Sequence, residues 1–448
     1  MVKRKYFGTD GMRGAANKGH IVPQTVLRLA MAAGAHFQRG DHKNRVVIGK
    51  DTRLSGYMLE NALTAGFLSM GMDVLLLGPV PTPAVAMLTK SMRAELGVMI
   101  SASHNPFFDN GIKLFGPDGY KLSDNDEQII TNLMDQQNWI LPDSQHIGRA
   151  KRIDDAAGRY IEFVKGAFPS NLSLDGLKLV IDCAHGAAYQ IAPIVLKELG
   201  AQIIPIGVEP NGKNINDRVG ATHPQAMADM VKQQGADMGI ALDGDADRLI
   251  VCDELGQIID GDQILALIAT LWHEMGRLQG PVIATILSNM GLEQYLNSFK
   301  VDLVRSQVGD RYVVDQMKQH EAVLGGEASG HIVLGHHATT GDGLMAALQV
   351  LACMIQRKQK MSALAKTFTP VPQLVRNLSL ADHHKIIERP AVKQAIDKCH
   401  DQLGDSGRLI IRPSGTEPLI RMMIEGKDTA HHTKLLDQLE ASIRASAA

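Results

Sequence analysis

Short apolar runs rich in β-branched residues alternate along most of the chain with segments whose apolar positions recur at helical spacing. The short runs predict buried strands and the amphipathic segments predict helices, a pattern typical of α/β proteins. In three successive stretches, a late apolar strand runs directly into a polar, glycine-rich loop. The predicted strands are 45–48, 74–77, 96–100, 177–181, 201–206, 238–242, 282–286, 302–306 and 322–324, and the predicted helices are 55–70, 83–92, 192–199, 224–234, 262–275, 292–299 and 312–319.

The spacing of these loops predicts three similar α/β domains with mixed sheets, followed by a smaller α+β domain. Each is of ordinary domain size, since domains of about 100 to 150 residues are the commonest. The stiff segment Thr369-Pro-Val-Pro372 precedes the smaller domain. Because ligands of open parallel sheets bind beyond the carboxyl ends of the strands, the loops are expected to face a central cleft. The predicted domain bounds are 1–155, 156–256, 257–368 and 369–448.

Composition narrows the classes of function. Hydrophobic residues make up 45% and charged residues 21% of the 448 residues, which excludes disorder or coiled coil for most of the chain. The 46 basic and 48 acidic residues leave a net charge of −2, so neither nucleic acid nor an anionic membrane is an expected partner. With only 4% aromatic residues, a surface that stacks nucleic-acid bases is not expected either.

The cysteines lie too far apart to form a CxxC pair or a disulfide framework. We therefore expect reduced thiols in a cytoplasmic protein. The first residues are basic but lack the apolar core of a signal peptide, and the most hydrophobic stretch, 62–88, contains a charge and prolines. Neither a signal peptide nor a membrane span is expected. The cysteines are Cys183, Cys252, Cys353 and Cys399.

The first polar loop, Ser101-Ala-Ser-His-Asn-Pro106, follows the predicted strand 96–100. A serine at a strand end, before a turn stopped by proline, is a candidate nucleophile, although the loop lacks the GxSxG elbow of serine hydrolases. Ser103 and His104 are neighbours, so in extended backbone they face opposite ways and make a poor Ser–His dyad. A simple turn with an Asx cap fits the same residues equally well.

The second loop, Asp243-Gly-Asp-Ala-Asp-Arg248, follows another late strand. In an extended segment, Asp243, Asp245 and Asp247 would share one face, because they alternate at i, i+2 and i+4. Crowded carboxylates repel one another unless a cation neutralises them, and an all-oxygen ligand set selects a hard ion such as Mg²⁺. An EF-hand loop fits poorly, because Arg248 stands where that loop has its invariant glycine. A solvated acidic turn is the alternative interpretation.

Two further loops carry groups suited to sugars and phosphates. In the first, Glu327, Ser329 and His331 alternate and would face one way, as a carboxylate, a hydroxyl and an imidazole able to bind sugar hydroxyls. In the second, Arg412-Pro-Ser-Gly-Thr416, an arginine and two hydroxyls surround a glycine and can cradle a phosphate. Taken singly, the first is better explained as a glycine-rich hairpin, and the second equally well as a basic turn.

Taken together, in this order and on this domain spacing, the four loops resemble those of the α-D-phosphohexomutase superfamily over essentially the whole chain. Three further features are similar to the bacterial members that interconvert glucosamine 6-phosphate and glucosamine 1-phosphate. These are the opening Lys5-Tyr-Phe-Gly-Thr-Asp-Gly-Met-Arg-Gly14, the forms SASHNPFFDNGIK and SGTEPLIR, and Val308-Gly-Asp-Arg-Tyr312. Such members are isomerases on the route to UDP-N-acetylglucosamine and cell-wall peptidoglycan.

The resemblance implies a role for each matching residue. Ser103 would bear the transferable phosphate, an oxygen of which would join the metal ligands. The Mg²⁺ ligands would be Asp243, Asp245 and Asp247, and the acid/base or charge-stabilising groups would be Lys113, Arg13, Arg248 and His331. The sugar-binding residues would be Glu327 and Ser329, and the phosphate-binding residues would be Arg412, Ser414, Gly415 and Thr416.

A mechanism and its cofactors follow from the same resemblance. Phosphorylated Ser103 donates its phosphate to the free hydroxyl of a bound sugar monophosphate, giving a 1,6-bisphosphate that turns over and returns its other phosphate to Ser103. The implied cofactors are one Mg²⁺ per subunit, the phosphoserine itself and a hexosamine 1,6-bisphosphate as activator. Lys113 would take the proton of the attacking hydroxyl if burial or neighbouring cations lower its pKa. Ala246 departs from the superfamily's glycine and requires either φ below zero or strain.

Three other functions stay open at this point. A phosphoglucomutase or phosphomannomutase would use the same chemistry on a different sugar. A non-catalytic phosphosugar sensor would keep the pocket but lose the serine or the metal triad, and the chain keeps both. A serine hydrolase is disfavoured by the missing elbow and base. The expected partners are small sugar phosphates, and the oligomeric state is left open, with a homodimer among the options.

Overall fold

A computed structural model of the chain describes residues 5–8, 10–40, 42–380, 382–413 and 419–447. The chain divides into two compact units. The first comprises Met1–Thr285 and Asp302–Thr367, and the second comprises Ile286–Val301 and Phe368–Ala448. The predicted division into four domains is finer than this one and stays a prediction.

The first unit begins with a six-stranded mixed sheet. Its strands are β1 (Met12–Ala15), β2 (Arg45–Lys50), β3 (Asp73–Pro79), β4 (Leu96–Ile100), β5 (Asp109–Phe115) and β6 (Ala150–Arg152), and its helices are α1 (Pro23–Phe37), α2 (Gly56–Ser69), α3 (Thr82–Ser91) and α4 (Asp124–Gln136). The strand order is β1-β5-β4-β2-β3-β6. The strands β4, β2, β3 and β6 are parallel, whereas β5 runs antiparallel to both of its neighbours.

A second mixed sheet has the order β11-β10-β9-β7-β8. Its parallel strands β8, β7 and β9 are followed by the antiparallel strands β10 and β11. The elements of this part are α5 (Ala156–Lys165), β7 (Lys178–Asp182), α6 (Ile191–Glu198), β8 (Gln202–Ile206), α7 (Gln225–Gln234), β9 (Met238–Leu242), β10 (Leu249–Asp253) and β11 (Ile258–Ile259).

The third sheet, also mixed, has the order β13-β12-β14-β15, with only β15 antiparallel among these strands. The elements along this part of the chain are α8 (Gly261–Glu274), β12 (Val282–Thr285), α9 (Met290–Asn297), β13 (Leu303–Ser306), α10 (Asp310–Gln319), β14 (Leu324–Gly326), β15 (Ile332–Leu334), α11 (Gly343–Arg357) and α12 (Met361–Leu364). Of these, α9 belongs to the second compact unit.

The second unit is built on a three-stranded antiparallel sheet in the order β16-β18-β17. Its other elements are β16 (Gln373–Ser379), α13 (His383–Ile386), α14 (Pro390–Leu403), β17 (Gly407–Pro413), β18 (Leu419–Gly426) and α15 (Thr429–Ala447). Apolar side chains of the sheet, α14 and α15 form its core, with Ile420, Val392 and Ile443 fully buried. The predicted fold class is confirmed: three α/β parts with mixed sheets precede a smaller α+β part.

The same local arrangement occurs in all three sheets of the first unit. A fully buried parallel strand, β4, β9 or β14, is followed by a polar loop and then by an antiparallel neighbour. Burial on both faces explains why these strands read as continuous apolar runs in the sequence. Each polar loop therefore lies at the carboxyl end of a parallel strand, where the sequence predicted it.

Most predicted elements agree with the structure to within a few residues, but among the helices of eight or more residues in the first unit the prediction omitted α1, α4, α5 and α11. The helix α11 is apolar and buried on nearly all its residues. Helix α8 begins with a capping box between Asp260 and Gln263. Among the described residues, no helix is long and apolar enough to span a membrane.

Candidate active site

The loops that follow β4, β9 and β14 meet in the first unit. Ser103 Oγ of the first loop donates a hydrogen bond of 2.5 Å to Asp243 Oδ2 of the second. The backbone N–H of Leu249 donates to the Gly330 carbonyl at 2.9 Å, and Arg248 pairs with His331 in an isolated β-bridge. The structure thus brings together three of the four loops that the sequence singled out.

Ser103 is buried, with 1% of its surface exposed, and its φ of 51° places it in the left-handed region. Its N–H donates to Ser101 Oγ at 2.9 Å. The hydroxyl donates to a carboxylate, that of Asp243, rather than to His104. The prediction that Ser103 and His104 make a poor dyad therefore agrees with the geometry, and the hydrogen-bond partner of the Ser103 hydroxyl belongs to the second loop.

The carboxylates of Asp243, Asp245 and Asp247 converge, with one oxygen of each within 4.8 Å of the others. The predicted extended segment is wrong, however, because the loop is a turn in which Ala246 has a φ of 58°. The turn nevertheless directs the carboxylates to one place. Thr82 Oγ1 at the start of α3 donates to Asp245 Oδ2 at 2.5 Å and helps to hold it.

Ala246 carries the strain that its departure from glycine implied. A non-glycine residue at a φ of 58° costs about 1 to 2 kcal/mol, because Cβ crowds the backbone. We expect Ala246→Gly to raise the free energy of unfolding by about 1 kcal/mol, measured by urea denaturation. As a control, Ala241→Gly in the extended, buried strand β9 should lower it. A lowered stability in both variants would contradict the strain.

Charge is crowded at this turn. Burial, together with Asp247 and Asp245, raises the pKa of Asp243 to about 8. Lys113 of β5 offsets part of the repulsion, since its Nζ lies 2.8 Å from Asp245 Oδ2 and 3.0 Å from Asp247 Oδ2. Burial alone would lower the pKa of Lys113, but Asp10, Asp245 and Asp247 outweigh it and raise that pKa well above its usual value. The lowered pKa required of a lysine base is therefore not found.

The residues fit a hard divalent cation. Asp245 Oδ1 and Asp247 Oδ1 are buried and have no hydrogen-bond partner among the described residues. Buried carboxylate oxygens without a donor are costly unless a cation coordinates them. An all-oxygen set of this kind is the chemistry that Mg²⁺ prefers. The structure thus supports the predicted metal site by its donor set, while Ser103 lies beside it through Asp243.

The third loop is a hairpin turn between β14 and β15, closed by Gly330 at a φ of 92°. The prediction that its polar residues share the face of an extended strand is therefore wrong. Glu327 Oε1 accepts a hydrogen bond of 2.9 Å from the Gly309 N–H, and Ser329 Oγ donates to Glu327 Oε2 at 3.2 Å. Glu327 and Ser329 thus form one polar pair, and His331 points elsewhere.

His331 faces the metal loop and is only 2% exposed. Its Nδ1 lies 3.7 Å from Asp247 Oδ1, and its Nε2 accepts a hydrogen bond of 3.2 Å from the Gly341 N–H. Because Nε2 accepts, the ring proton of the neutral imidazole is on Nδ1, toward Asp247. His331 is therefore held in one tautomer beside the carboxylates.

Arg13 and Arg248 bring positive charge to the same place. Arg13 of β1 pairs with Asp10, and the pKa of Arg248 is raised by Asp243 and Asp247 despite the opposing effect of burial. Burial, Arg248 and Arg13 lower the pKa of His104 to about 4, so this imidazole is neutral at physiological pH. Cationic surroundings of this kind suit a phosphate group.

The fourth loop belongs to the second unit. Arg412 on β17 is half-buried and lies opposite Arg421 on β18. Burial and the charge of Arg421 lower the pKa of Arg412. Two guanidinium groups at facing positions concentrate positive charge, as an anion-binding surface requires. The other predicted members of this loop, Ser414, Gly415 and Thr416, lie outside the described residues.

Several residues of the site were not predicted from the sequence. Asp51 and Arg53 follow β2 directly, and Arg53 donates to the carbonyls of Ser103, Asn105 and Asp109. Their position at the carboxyl end of a parallel strand was a usable signal, because the same rule located the other loops. Asn216 had no such signal, since it lies in the irregular segment between β8 and α7.

Comparison with known proteins gives one consistent result. Four segments of the chain match family models of phosphoglucomutase/phosphomannomutase. Residues 4–140 match alpha/beta/alpha domain I, residues 158–256 match alpha/beta/alpha domain II, residues 260–371 match alpha/beta/alpha domain III, and residues 376–442 match the C-terminal domain. The chain belongs to the phosphoglucomutase/phosphomannomutase family. This confirms the resemblance that the sequence motifs indicated.

Two relatives within that family are named phosphoglucosamine mutase. One, from Paramagnetospirillum magneticum, is 56% identical over 448 residues, with 99% of each chain covered. The other, from Parvibaculum lavamentivorans, is 58% identical and covers 99% of this chain and 100% of its own. The similarity to phosphoglucosamine mutases therefore extends over essentially the full chain.

Solved structures share the fold. A phosphoglucomutase/phosphomannomutase family protein from Burkholderia thailandensis superimposes with a TM-score of 0.83 at 23% identity, covering 100% of this chain and 98% of its own. An N-acetylphosphoglucosamine mutase from Aspergillus fumigatus, in complex with GlcNAc-6P and magnesium, has a TM-score of 0.70 at 18% identity, covering 100% and 96%. At these identities the likeness concerns the fold alone.

Proposed function

We propose that the chain interconverts glucosamine 6-phosphate and glucosamine 1-phosphate through a phosphoserine at Ser103 and a 1,6-bisphosphate intermediate. The observation that carries this proposal is the 2.5 Å hydrogen bond from Ser103 Oγ to Asp243, which joins the candidate phosphate carrier to the candidate metal triad. The relatives named phosphoglucosamine mutase, at 56% and 58% identity, support the choice of sugar. The products would serve the synthesis of UDP-N-acetylglucosamine and peptidoglycan.

The proposed roles follow from the charges around Ser103. Phosphoryl transfer needs positioning and charge stabilisation more than covalent help. Arg13, Arg248 and protonated Lys113 would stabilise the negative charge of the transferring phosphate. When Mg²⁺ is bound, held by the three aspartates and an oxygen of the Ser103 phosphate, it would withdraw charge from the phosphate oxygens. Of the two groups that face Asp247, Lys113 is placed among these charge-stabilising cations, and His331 is the group we assign to proton exchange with the sugar hydroxyl.

The sugar would be held by the third loop. Glu327 is fixed by the Gly309 N–H and by Ser329, so its carboxylate is oriented before the substrate binds. In the first half-reaction the phosphate leaves Ser103 Oγ for the free sugar hydroxyl, whose proton passes to the assigned group while Ser103 Oγ takes up a proton. The bisphosphate then turns over, and its other phosphate passes to Ser103 Oγ. In this second half-reaction Ser103 Oγ loses its proton and the released sugar oxygen gains one, which regenerates the phosphoserine.

A side-by-side assay tests the choice of substrate. Purified protein is given glucosamine, glucose or mannose 6-phosphate with Mg²⁺ and a matching 1,6-bisphosphate, and formation of the 1-phosphate is followed. We expect the highest kcat/KM with glucosamine 6-phosphate. A higher value with glucose or mannose 6-phosphate would favour the runner-up, a phosphoglucomutase or phosphomannomutase. Lack of turnover with all three would refute both proposals and leave the phosphosugar sensor.

Arg412→Ala is expected to weaken binding of both the 1-phosphate and the 6-phosphate. We propose that Arg412, with Ser414, Gly415 and Thr416, binds the substrate phosphate that is not reacting, and each isomer presents one. Because remote binding energy also orients the reacting end, kcat should fall while KM rises. Steady-state kinetics in both directions measures this effect. A change in KM for only one isomer would show that the two isomers do not both place their non-reacting phosphate at this loop.

Two further expectations belong to the same proposal. A hexosamine 1,6-bisphosphate should activate the enzyme, because it can phosphorylate Ser103 in molecules that have lost the phosphate. We also propose a cytoplasmic location, which the free, buried state of all four cysteines supports.

A further inference from the structure

The carbonyl oxygens of Ser103 and Asn105 accept hydrogen bonds from the same two side chains. Arg53 Nη2 donates to them at 2.8 and 2.9 Å, and Asn216 Nδ2 donates at 2.9 and 3.1 Å. We refer to Arg53 and Asn216 as the carbonyl clamp. The amide of Asn216 must present its nitrogen here, since the opposite orientation would set its oxygen against two carbonyl oxygens. All of these atoms lie within the first unit.

One half of the clamp is anchored to Asp51. Arg53 is fully buried, and its Nε donates to Asp51 Oδ2 at 2.7 Å. The same carboxylate oxygen accepts from Ser101 Oγ at 2.7 Å, and Ser101 Oγ in turn accepts from the Ser103 N–H. Both the N–H and the carbonyl of Ser103 are therefore tied, through one intermediate side chain each, to Asp51.

The other half reaches the serine loop from the part of the chain that carries the second sheet. The Asn216 N–H donates to the Ala184 carbonyl at 2.9 Å, and its φ of 58° lies in the left-handed region, which asparagine tolerates. The metal loop packs on the same atoms, because a Cβ added to Gly244 would lie 2.5 Å from the Ser103 carbonyl oxygen and 2.8 Å from Asn216 Nδ2. Asn216 thus links the backbone of Ser103 to the loop of the three aspartates.

We propose that the carbonyl clamp positions Ser103 for phosphoryl transfer, and that Asn216 is a positioning residue of the reaction. This inference rests on the proposed function. Ser103 has a left-handed φ of 51°, a conformation that persists in a serine only when its surroundings enforce it. With the backbone fixed on both sides, the phosphate on Oγ keeps one distance to the carboxylates. A loosened backbone would let the phosphate move away without disturbing Glu327 or Ser329.

Asn216→Gly tests the inference with little strain, because glycine adopts a φ of 58° freely and removes only the side-chain donors. Both enzymes are first phosphorylated with glucosamine 1,6-bisphosphate, and equal occupancy is verified by intact mass. We expect kcat to fall about 10- to 100-fold, since small misplacement of reacting groups has effects of this size. KM for glucosamine 6-phosphate should change by less than about threefold, because the contacts that bind the substrate equally in the ground state and the transition state are unaffected.

Asn17→Gly is the matched control. Asn17 also has a left-handed φ, of 60°, but its side chain is exposed. Its kcat and KM should equal those of the wild type. Arg53→Lys is a second variant that keeps a cation beside Asp51 but cannot supply the fork of donors, so it should show the same loss of kcat.

The possible results separate the inference from the proposed function. An unchanged kcat in Asn216→Gly, or a KM that rises in parallel with the loss of kcat, would overturn the clamp as a positioning device. Loss of folding in this variant, seen by circular dichroism, would overturn it too, because the clamp would then be a requirement of the fold. An inactive wild type would instead refute the proposed function.

Discussion

Ser103→Ala is expected to abolish mutase activity while the protein folds normally. Without Oγ no phosphate can be carried between the two sugar positions, and loss of the nucleophilic serine lowers kcat on the order of 10⁶-fold in a serine protease. Folding should survive, because alanine keeps the backbone groups that Ser101, Arg53 and Asn216 hold. Activity is measured by a coupled assay for glucosamine 1-phosphate, and the missing phosphate by intact mass.

Ser101→Ala is the neighbouring control, since it keeps the Ser103 hydroxyl. This variant loses the hydrogen bond from Ser101 Oγ to Asp51 and the acceptor of the Ser103 N–H, so a partial loss of activity is expected. The phosphate should remain on the Ser103 peptide in this variant. Near-normal turnover of Ser103→Ala, or a phosphate that maps to Ser101, would show that the nucleophile is wrongly assigned.

Asparagine at Asp243, Asp245 or Asp247 is expected to have the second-largest effect. A lost metal ligand removes charge stabilisation worth several kcal/mol, and about 4 kcal/mol corresponds to roughly 1000-fold in kcat. EDTA should silence the wild type, and added Mg²⁺ should restore it. The binding of Mg²⁺ itself, followed by calorimetry, should weaken in each variant in parallel with the loss of activity.

Asp229→Asn is the matched control for removal of one negative charge. Asp229 is exposed on α7 and pairs with Lys232, so its replacement should change neither Mg²⁺ affinity nor turnover. Full activity of the wild type in excess chelator would contradict the metal site. Normal Mg²⁺ affinity in all three asparagine variants would contradict the choice of ligands.

The place of the candidate site could be predicted because its signals are local in the sequence. Each polar loop follows a buried strand, and the carboxyl ends of parallel strands share one edge of a sheet. That rule places each loop at the edge of its own sheet. The contact between Ser103 and Asp243, 140 residues apart and following strands of different sheets, agrees with the further expectation that the loops face one cleft. Residue type then indicated the kind of ligand, because neighbouring carboxylates favour a hard cation whether or not their backbone is extended.

The conformations of these loops could not be predicted by the same reasoning. Alternation along an extended segment was expected for the second and third loops, but Ala246 and Gly330 have positive φ values and make both of them turns. Glycine can signal such a turn, whereas an alanine in the left-handed region contradicts its own preference. Only the surrounding contacts, such as the bond from the Gly343 N–H to the Ala246 carbonyl, enforce it.

The pKa values of the site's residues depend on charges that are distant in sequence, so they could not be predicted from local motifs either. Lys113 was expected to serve as a base if its pKa was lowered, yet the carboxylates of Asp10, Asp245 and Asp247 raise it. Asp10 is more than 100 residues from Lys113 in the chain and 3.4 Å from it in space. The clamp residue Asn216 is equally remote from Ser103 in sequence. Such contacts are set by the packing of whole sheets, which no local motif records.

The most direct test of phosphate transfer through Ser103 is a rapid-quench experiment on enzyme carrying ³²P at that residue. Labelled enzyme is mixed with excess glucosamine 6-phosphate and Mg²⁺, and the label is followed in the Ser103 peptide and in the sugar phosphates. The label is expected to leave the peptide and to appear in glucosamine 1,6-bisphosphate and then in glucosamine 1-phosphate. Retention of the label on Ser103 while glucosamine 1-phosphate forms, or its release only as inorganic phosphate, would contradict the mechanism.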